Sequence, residues 1–124
     1  MPIDSNKILV DSVKRLLRRG AISHLTKIVN KTHGADLSVL FRSLSLAQQH
    51  KLFDMITDVE QKGIMFSELE EDIFQDLIED MPVEAIVEIL ESMPADDVAD
   101  IIGRLPEGRS QDILDKMKRA ESEE

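Results

Sequence analysis

The chain has 124 residues, of which 42% are apolar and 32% charged, a balance typical of a folded globular domain. It contains no Cys, which excludes disulfides, thiolate metal sites and cysteine nucleophiles, and it has no apolar run of the roughly 18 residues that a membrane helix needs. The net charge of −10 and the lack of Trp and Tyr argue against nucleic-acid binding.

The first 32 residues are basic, with seven Lys or Arg and two Asp. Three interpretations are open for this cluster: a solvated helical face, a surface that pairs with acidic groups of this chain or a partner, or a surface that approaches anionic lipid head groups. The cluster comprises Lys14, Arg15, Arg18 and Arg19, followed by Lys27 and Lys31.

Apolar residues recur in blocks of twelve. Four blocks run from residue 9 to 56, and after a one-residue slip at Thr57 five more run from 58 to 117. In these nine blocks 31 of the 36 residues at the fifth, eighth, ninth and twelfth positions are apolar, where the overall composition predicts about 15. This spacing marks one face of an α-helix, so each block predicts a short helix of about eight or nine residues followed by a tight turn.

Local signals suggest where helices begin. Pro82, Pro94 and Pro106 stand twelve residues apart, and we expect each at the first helical position, where its missing N–H costs nothing. Ser67 and Glu70 have the Ser-x-x-Glu form of a capping box and predict a helix start at Ser67. The block 58–69 has the weakest pattern because it contains Lys62 and Gly63.

These observations predict an all-α fold. Helices this short persist only when they pack on neighbours, which favours a superhelix, or solenoid, of about eight or nine short helices built on the 12-residue repeat. An irregular compact bundle of the same helices is the alternative. The domain division we expect is a lead-in at 1–8, the helical superhelix at 9–117 and a polar tail or start of a linker helix at 118–124.

The second half of the chain is acidic. From Glu68 to Asp100 it has thirteen acids and no Lys or Arg. Carboxylates pair at i, i+4 within successive blocks, and such oxygen ligands without Cys or His suit Mg²⁺ or Ca²⁺, with weak Mg²⁺ binding the natural interpretation. A solvated acidic face, with first-turn acids that complement the helix dipole, is the alternative. The pairs are Asp72/Asp76, Glu84/Glu88 and Asp96/Asp100, with Asp97 beside the last.

Catalytic patterns are missing from the sequence. It has no glycine-rich phosphate loop, no His-Glu-x-x-His and no nucleophile elbow, and its three His lie in different blocks. We therefore expect a protein that binds or senses rather than an enzyme.

One segment resembles a known family. The run from Met93 to Pro106 is similar to the Pro-x-Asp-Asp-x-Ala-Asp signature in the cytosolic N-terminal domain of MgtE-type magnesium transporters. The segments Leu-Ile-Glu-Asp-Met-Pro and Ile-Leu-Glu-Ser-Met-Pro resemble that domain too. The resemblance is clearest from about residue 68 to 117 and diffuse before 57.

The resemblance implies a regulatory cytoplasmic domain that is followed, in its family, by CBS domains, a linking helix and a membrane pore. Mg²⁺ held between the acidic domain and its neighbours would neutralise their repulsion and close the pore. The parent transporter's CBS domains are the implied partners, and a homodimer through the parent protein is compatible with this. The implied ligands are Asp96, Asp97 and Asp100, with Glu84 and Glu88 as further candidates.

A rival hypothesis remains open beside the resemblance. The chain would then be a metal-independent helical scaffold or adaptor that recognises partners through its acidic and basic halves.

Overall fold

The computed structural model describes the backbone of residues 5–122 and the side chains of residues 7–118, and every regular element within that range is an α-helix. The predicted all-α class is therefore confirmed. Interior helices are 8 to 10 residues long, close to the expected length. The helices are α1 (Ser5–Arg19), α2 (Ile22–Lys31), α3 (Gly34–Phe41), α4 (Leu46–Met55), α5 (Val59–Glu68), α6 (Glu71–Glu79), α7 (Val83–Glu91), α8 (Ala95–Arg104) and α9 (Glu107–Ser122).

The prolines precede their helices by one residue. Pro82 and Pro94 are the N-cap residues of α7 and α8, with ψ angles of 152° and 149°, so the expected placement at the first helical position was wrong by one residue. The physical reason is that each carbonyl already accepts the first intrahelical bond, from Ile86 and Val98 respectively, while the extended ψ keeps the proline itself outside the helix.

The capping box forms at a different serine. Ser67 lies inside α5, and α6 begins after Glu70, so the predicted helix start at Ser67 was wrong. The box instead joins Ser45 and Gln48 at the start of α4, where the Ser45 hydroxyl accepts from the Gln48 N–H at 3.2 Å and the Gln48 side chain accepts from the Ser45 N–H at 2.9 Å. Local sequence alone could not separate the two motifs, because both fit the Ser-x-x-Glu/Gln form.

Helices two places apart in the chain pack together. The principal pairs are α1 with α3, α2 with α4, α3 with α5, α4 with α6, α5 with α7 and α7 with α9, and α1 also packs on α2 and α5 on α8. One apolar cluster runs through the described residues from Val13 to Ile113. Its members fall largely on the predicted core positions, among them Leu37, Leu52 and Ile86, each fully shielded from solvent.

Three phenylalanines join α4, α5 and α6 at the centre of this core. The rings of Phe53 and Phe66 stack with centroids 5.9 Å apart, and Phe66 meets Phe74 edge to face at 5.3 Å. Such arrangements add stability beyond the area that the rings bury.

Two glycines make room for close contacts of α5, the helix of the block with the weakest pattern. A Cβ on Gly63 of α5 would lie 2.8 Å from Met93 Cγ, and a Cβ on Gly34 of α3 would lie 2.7 Å from Ile64 Cγ2. The block 58–69 therefore forms a regular helix that packs on α3, α7 and α8, and Gly63 is a buried contact point there.

Long polar side chains satisfy carbonyls at the ends of helices distant in sequence. Asn30 donates to the Met55 carbonyl at 3.0 Å, Gln61 to the Thr32 carbonyl at 3.0 Å, and Arg109 to the Met81 and Glu79 carbonyls at 2.6 Å each. Carbonyls in the last turn of a helix lack intrahelical donors, so these bonds fix the ends of short helices to their neighbours.

Candidate functional site

Two of the five predicted ligands line one groove. Asp97 and Asp100 lie three residues apart on α8, at i and i+3, which puts them on the same side of the helix. Their groove, with a cavity volume of about 460 Å³, is also lined by Ser67 of α5, Ile101 and Arg104. The groove therefore offers two carboxylates and a hydroxyl, all hard oxygen donors that suit Mg²⁺.

Asp97 and Ser67 also line an adjoining groove with a volume of about 370 Å³. Its lining includes the acids Glu60 and Glu68 and the apolar side chain of Met93. Asp97 is half-buried, whereas Asp100 is exposed.

The other predicted ligands lie apart from this groove. Glu84 of α7 pairs with Lys116 of α9 at 3.2 Å and lines a separate groove of about 300 Å³ with Asp112 and Asp115. A hydrogen bond from its own backbone N–H, then one from Lys116, holds the pKa of Glu84 below its ordinary value. Asp96 and Glu88 are both exposed.

The i, i+4 carboxylate pairs do not share one environment. Asp76 of α6 is half-buried and its Oδ2 lies 2.8 Å from His50 Nε2 on α4, whereas Asp72 is exposed. The Asp76 pairing joins α6 to α4, and it distinguishes this carboxylate from the exposed Asp72 of the same predicted pair.

Within the range whose side chains are described, no three His, Asp or Glu form a group that could hold a metal ion. Mg²⁺ commonly keeps several of its waters and binds only one or two carboxylates, and Asp97 and Asp100 fit that pattern. The two carboxylates suit Mg²⁺, and the described residues of this chain supply only part of its ligand shell.

Arg104 at the end of α8 is a site residue that the sequence analysis missed. Its Nε lies 2.7 Å from Glu71 Oε2, and a second guanidinium nitrogen donates to the Phe66 carbonyl at 3.0 Å. Arg104 borders the same groove as Asp97 and Asp100, so it places one positive charge beside the candidate ligands. Its partners lie some thirty residues earlier in the chain, and no local pattern in the sequence reveals them.

A hydrogen bond from Gln75, then one from Arg104, holds the pKa of Glu71 below its ordinary value of 4.5. The Gln75 amide donates to Glu71 Oε1 at 2.7 Å and also to the Arg104 carbonyl at 2.6 Å. Glu71, Gln75 and Arg104 therefore form a network that anchors the C-terminal end of α8 on α6.

Comparison with known proteins identifies one family. The family described as MgtE intracellular N domain matches residues 32–124, which is three quarters of the chain and includes every predicted ligand. No curated protein and no solved structure matches the chain. None of the helices that the structure describes combines the length and apolarity needed to cross a bilayer.

Proposed function

Because the chain belongs to the MgtE intracellular N domain family, we propose that it is the cytosolic regulatory domain of a magnesium transporter and that it senses Mg²⁺ through its acidic surface. The observation that carries this proposal is the shared groove of Asp97 and Asp100, two carboxylates on one side of α8. Asp96, Glu84 and Glu88 do not line that groove, and their role as further ligands stays a prediction.

The proposed mechanism is electrostatic. A surface with thirteen acids between Glu68 and Asp100 repels any other acidic domain of the parent protein when no cation intervenes. A Mg²⁺ ion between Asp97 and Asp100 and carboxylates of a partner surface, such as a CBS domain, would replace that repulsion with attraction. Domain association would then depend on the Mg²⁺ concentration, which is the property that a sensor needs.

We further propose that the helices form a superhelix. The packing of α1 on α3, α3 on α5, α5 on α7 and α7 on α9 supports this, because it repeats one relationship along the chain. A superhelix would present α8 and its carboxylates on an edge that a neighbouring domain can reach.

The experiment is a Mg²⁺ titration of the ¹⁵N-labelled chain, followed by NMR at constant ionic strength. We expect the amide signals of Asp97 and Asp100 to shift with weak, millimolar affinity, and the Asp97→Asn/Asp100→Asn variant to lose the shifts. The control is Asp36→Asn/Asp54→Asn, which removes two exposed helical acids outside the acidic stretch and should leave the titration unchanged. Spectra that stay constant to tens of millimolar Mg²⁺ would contradict direct binding.

Arg104 favours a second candidate function. A guanidinium beside the groove disfavours a divalent cation and suits an anionic group, so the same face would serve a metal-independent scaffold. Capture of a partner protein that a chelator leaves unchanged, together with a flat Mg²⁺ titration, would support the scaffold over the sensor.

A further inference from the structure

The outer side of α1 carries a row of arginines. Ile8, Arg15 and Arg19 follow one another at i, i+7 and i+11, which places them on one line along the helix, with Arg18 next to them. All four side chains are exposed, and Ile8 at 56% is among the most exposed large apolar residues described. We call these four residues the basic face.

The three arginines have no acidic partner among the described side chains, although the chain has 25 acids and 15 bases. Elsewhere Arg42, Arg104 and Lys116 each pair with a glutamate. One interpretation of this cluster was that it pairs with acidic groups of the same chain. Among the described residues, these three arginines form no such pairs.

The basic face also lies outside the region that matches the family, which begins at residue 32. Between residues 5 and 31 the sequence contains a single acid, Asp11, and Lys27 and Lys31 are exposed on α2, the helix that packs beside α1. The positive charge is therefore a local property of α1 and α2, and sensing of Mg²⁺ does not require it.

We propose that the basic face docks on an anionic lipid bilayer, with the arginines on the head groups and Ile8 entering the interface between them. Clusters of Lys and Arg on a helix are attracted to anionic leaflets, and an exposed apolar side chain adds to the binding. The three arginines require a partner with a dense array of negative charge, and Ile8 requires one that also accepts an aliphatic side chain. An anionic bilayer meets both requirements.

The net charge of −10 does not prevent this docking. Salt limits such interactions to about 8 Å at physiological ionic strength, so the charges nearest to the bilayer decide the outcome. α1 packs chiefly on α2 and α3, and the acidic helices α6 to α8 are not among its principal partners.

Two other partners fit the basic face less well. Single-stranded nucleic acids are held largely by stacking on aromatic side chains, and the first Phe, Tyr or Trp of the sequence is Phe41. A second copy of the chain would offer its acidic half, but two molecules of charge −10 repel each other, and exposed ion pairs bind weakly.

The test is co-sedimentation of the full chain with vesicles of phosphatidylcholine alone or with about one third phosphatidylglycerol, at low salt with EDTA present. EDTA prevents divalent cations from bridging the acidic helices to the lipid, so the result does not depend on Mg²⁺ sensing. We expect binding to the anionic vesicles alone, and weaker binding as salt is added.

Variants define the surface. Each base near an anionic leaflet strengthens binding about fivefold, so Arg15→Gln should weaken binding about fivefold and Arg15→Gln/Arg18→Gln/Arg19→Gln about a hundredfold. Ile8→Ser should weaken it severalfold. The matched control is Lys51→Gln, an exposed base on α4, which should change the affinity less than twofold. Circular dichroism checks that every variant keeps the helical content of the parent chain.

Four results would overturn the proposal. The first is equal binding to neutral and anionic vesicles, and the second is a triple variant that binds anionic vesicles as tightly as the parent chain does. The third is tighter binding to polyuridine that depends on the same arginines, which would assign the face to nucleic acid. The fourth is self-association that the triple variant abolishes, with no binding of the chain to vesicles, which would assign the face to a second copy.

Discussion

The guanidinium carbon of Arg104 lies 4.2 Å from the centroid of the Phe74 ring, so a cation at the end of α8 covers an aromatic ring of α6. The same guanidinium binds Glu71 and the Phe66 carbonyl, and its side chain is only 25% exposed. One residue therefore joins α5, α6 and α8 next to the candidate ligands.

Replacement of Arg104 should destabilise the fold. Arg104→Ala removes the ring contact and a charge-assisted hydrogen bond to a backbone carbonyl, and we expect a loss of about 2 kcal/mol in the free energy of unfolding, measured with urea. Arg42→Ala is the matched control, because its ion pair with Glu70 has both side chains about half exposed and should cost less than about 0.5 kcal/mol. Equal losses in the two variants would show that the Arg104 contacts contribute little.

The stability of the chain should depend on Glu71 at acidic pH. Because folding lowers the pKa of this carboxyl below 4.5, the unfolded state binds its proton first. The stability from the Glu71 contacts is complete above the unfolded pKa and is lost as the pH falls through the lower folded pKa. Urea midpoints measured from about pH 6 to pH 3 should fall more steeply for the parent chain than for Glu71→Gln.

Gln75 provides the control for that dependence. Its hydrogen bond is the largest cause of the lowered pKa, so Gln75→Leu should raise the Glu71 pKa toward its ordinary value, as measured by NMR. Parallel pH profiles for the parent chain and Glu71→Gln would rule Glu71 out as a contributor.

Alanine substitutions at two glycines should change the free energy of unfolding in opposite directions. In Gly34→Ala the new Cβ would lie 2.7 and 2.8 Å from Ile64 Cγ2 and Cβ, and since Cβ is fixed to the backbone, α3 and α5 must separate. We expect a loss of about 1–3 kcal/mol. Gly103→Ala on α8 meets no atom within 4 Å and should stabilise by about 0.5–1 kcal/mol, because alanine loses less backbone entropy in a helix. Thermal unfolding of both variants measures this, and a stabilised Gly34→Ala chain would contradict the close approach.

Ser45 caps a helix, whereas Ser67, which was predicted to do so, lies inside one. Replacement of Ser45 should therefore lower the free energy of unfolding more than replacement of Ser67. Ser45→Ala removes the capping box of α4 and should cost about 1 kcal/mol. Ser67→Ala, at an exposed position inside α5, should change the free energy of unfolding by less than about 0.5 kcal/mol. Urea denaturation of the two variants makes the comparison, and a larger loss at Ser67 would contradict the helix boundaries.

Periodicity in the sequence predicted the helices and their core. Leu37, Phe74 and Ile86 fall at apolar positions of their blocks and are fully buried, because helical spacing is a local property that a single sequence contains. Gln49 also falls at a core position of its block although it is polar. It is only 3% exposed, and its buried amide donates to the carbonyls of Phe41 and Leu44.

The sequence could not predict how distant helices meet. Asp97 and Asp100 were predicted as ligands, but their groove depends on Ser67 of α5, which local spacing does not bring beside α8. Gly63 appeared to weaken its block, whereas the absence of a Cβ there makes room for Met93 in the turn between α7 and α8. Both outcomes depend on contacts between residues about thirty positions apart.

The packing of helices on near neighbours has a consequence for how the chain folds. Because the principal partners lie at most three helices apart, only short loops must close, and the entropy lost in closing a loop grows with its length. Such local topologies fold rapidly. Folding can begin at any adjacent group of helices and extend in either direction, and the terminal helices, with partners on one side, should exchange their amide hydrogens first.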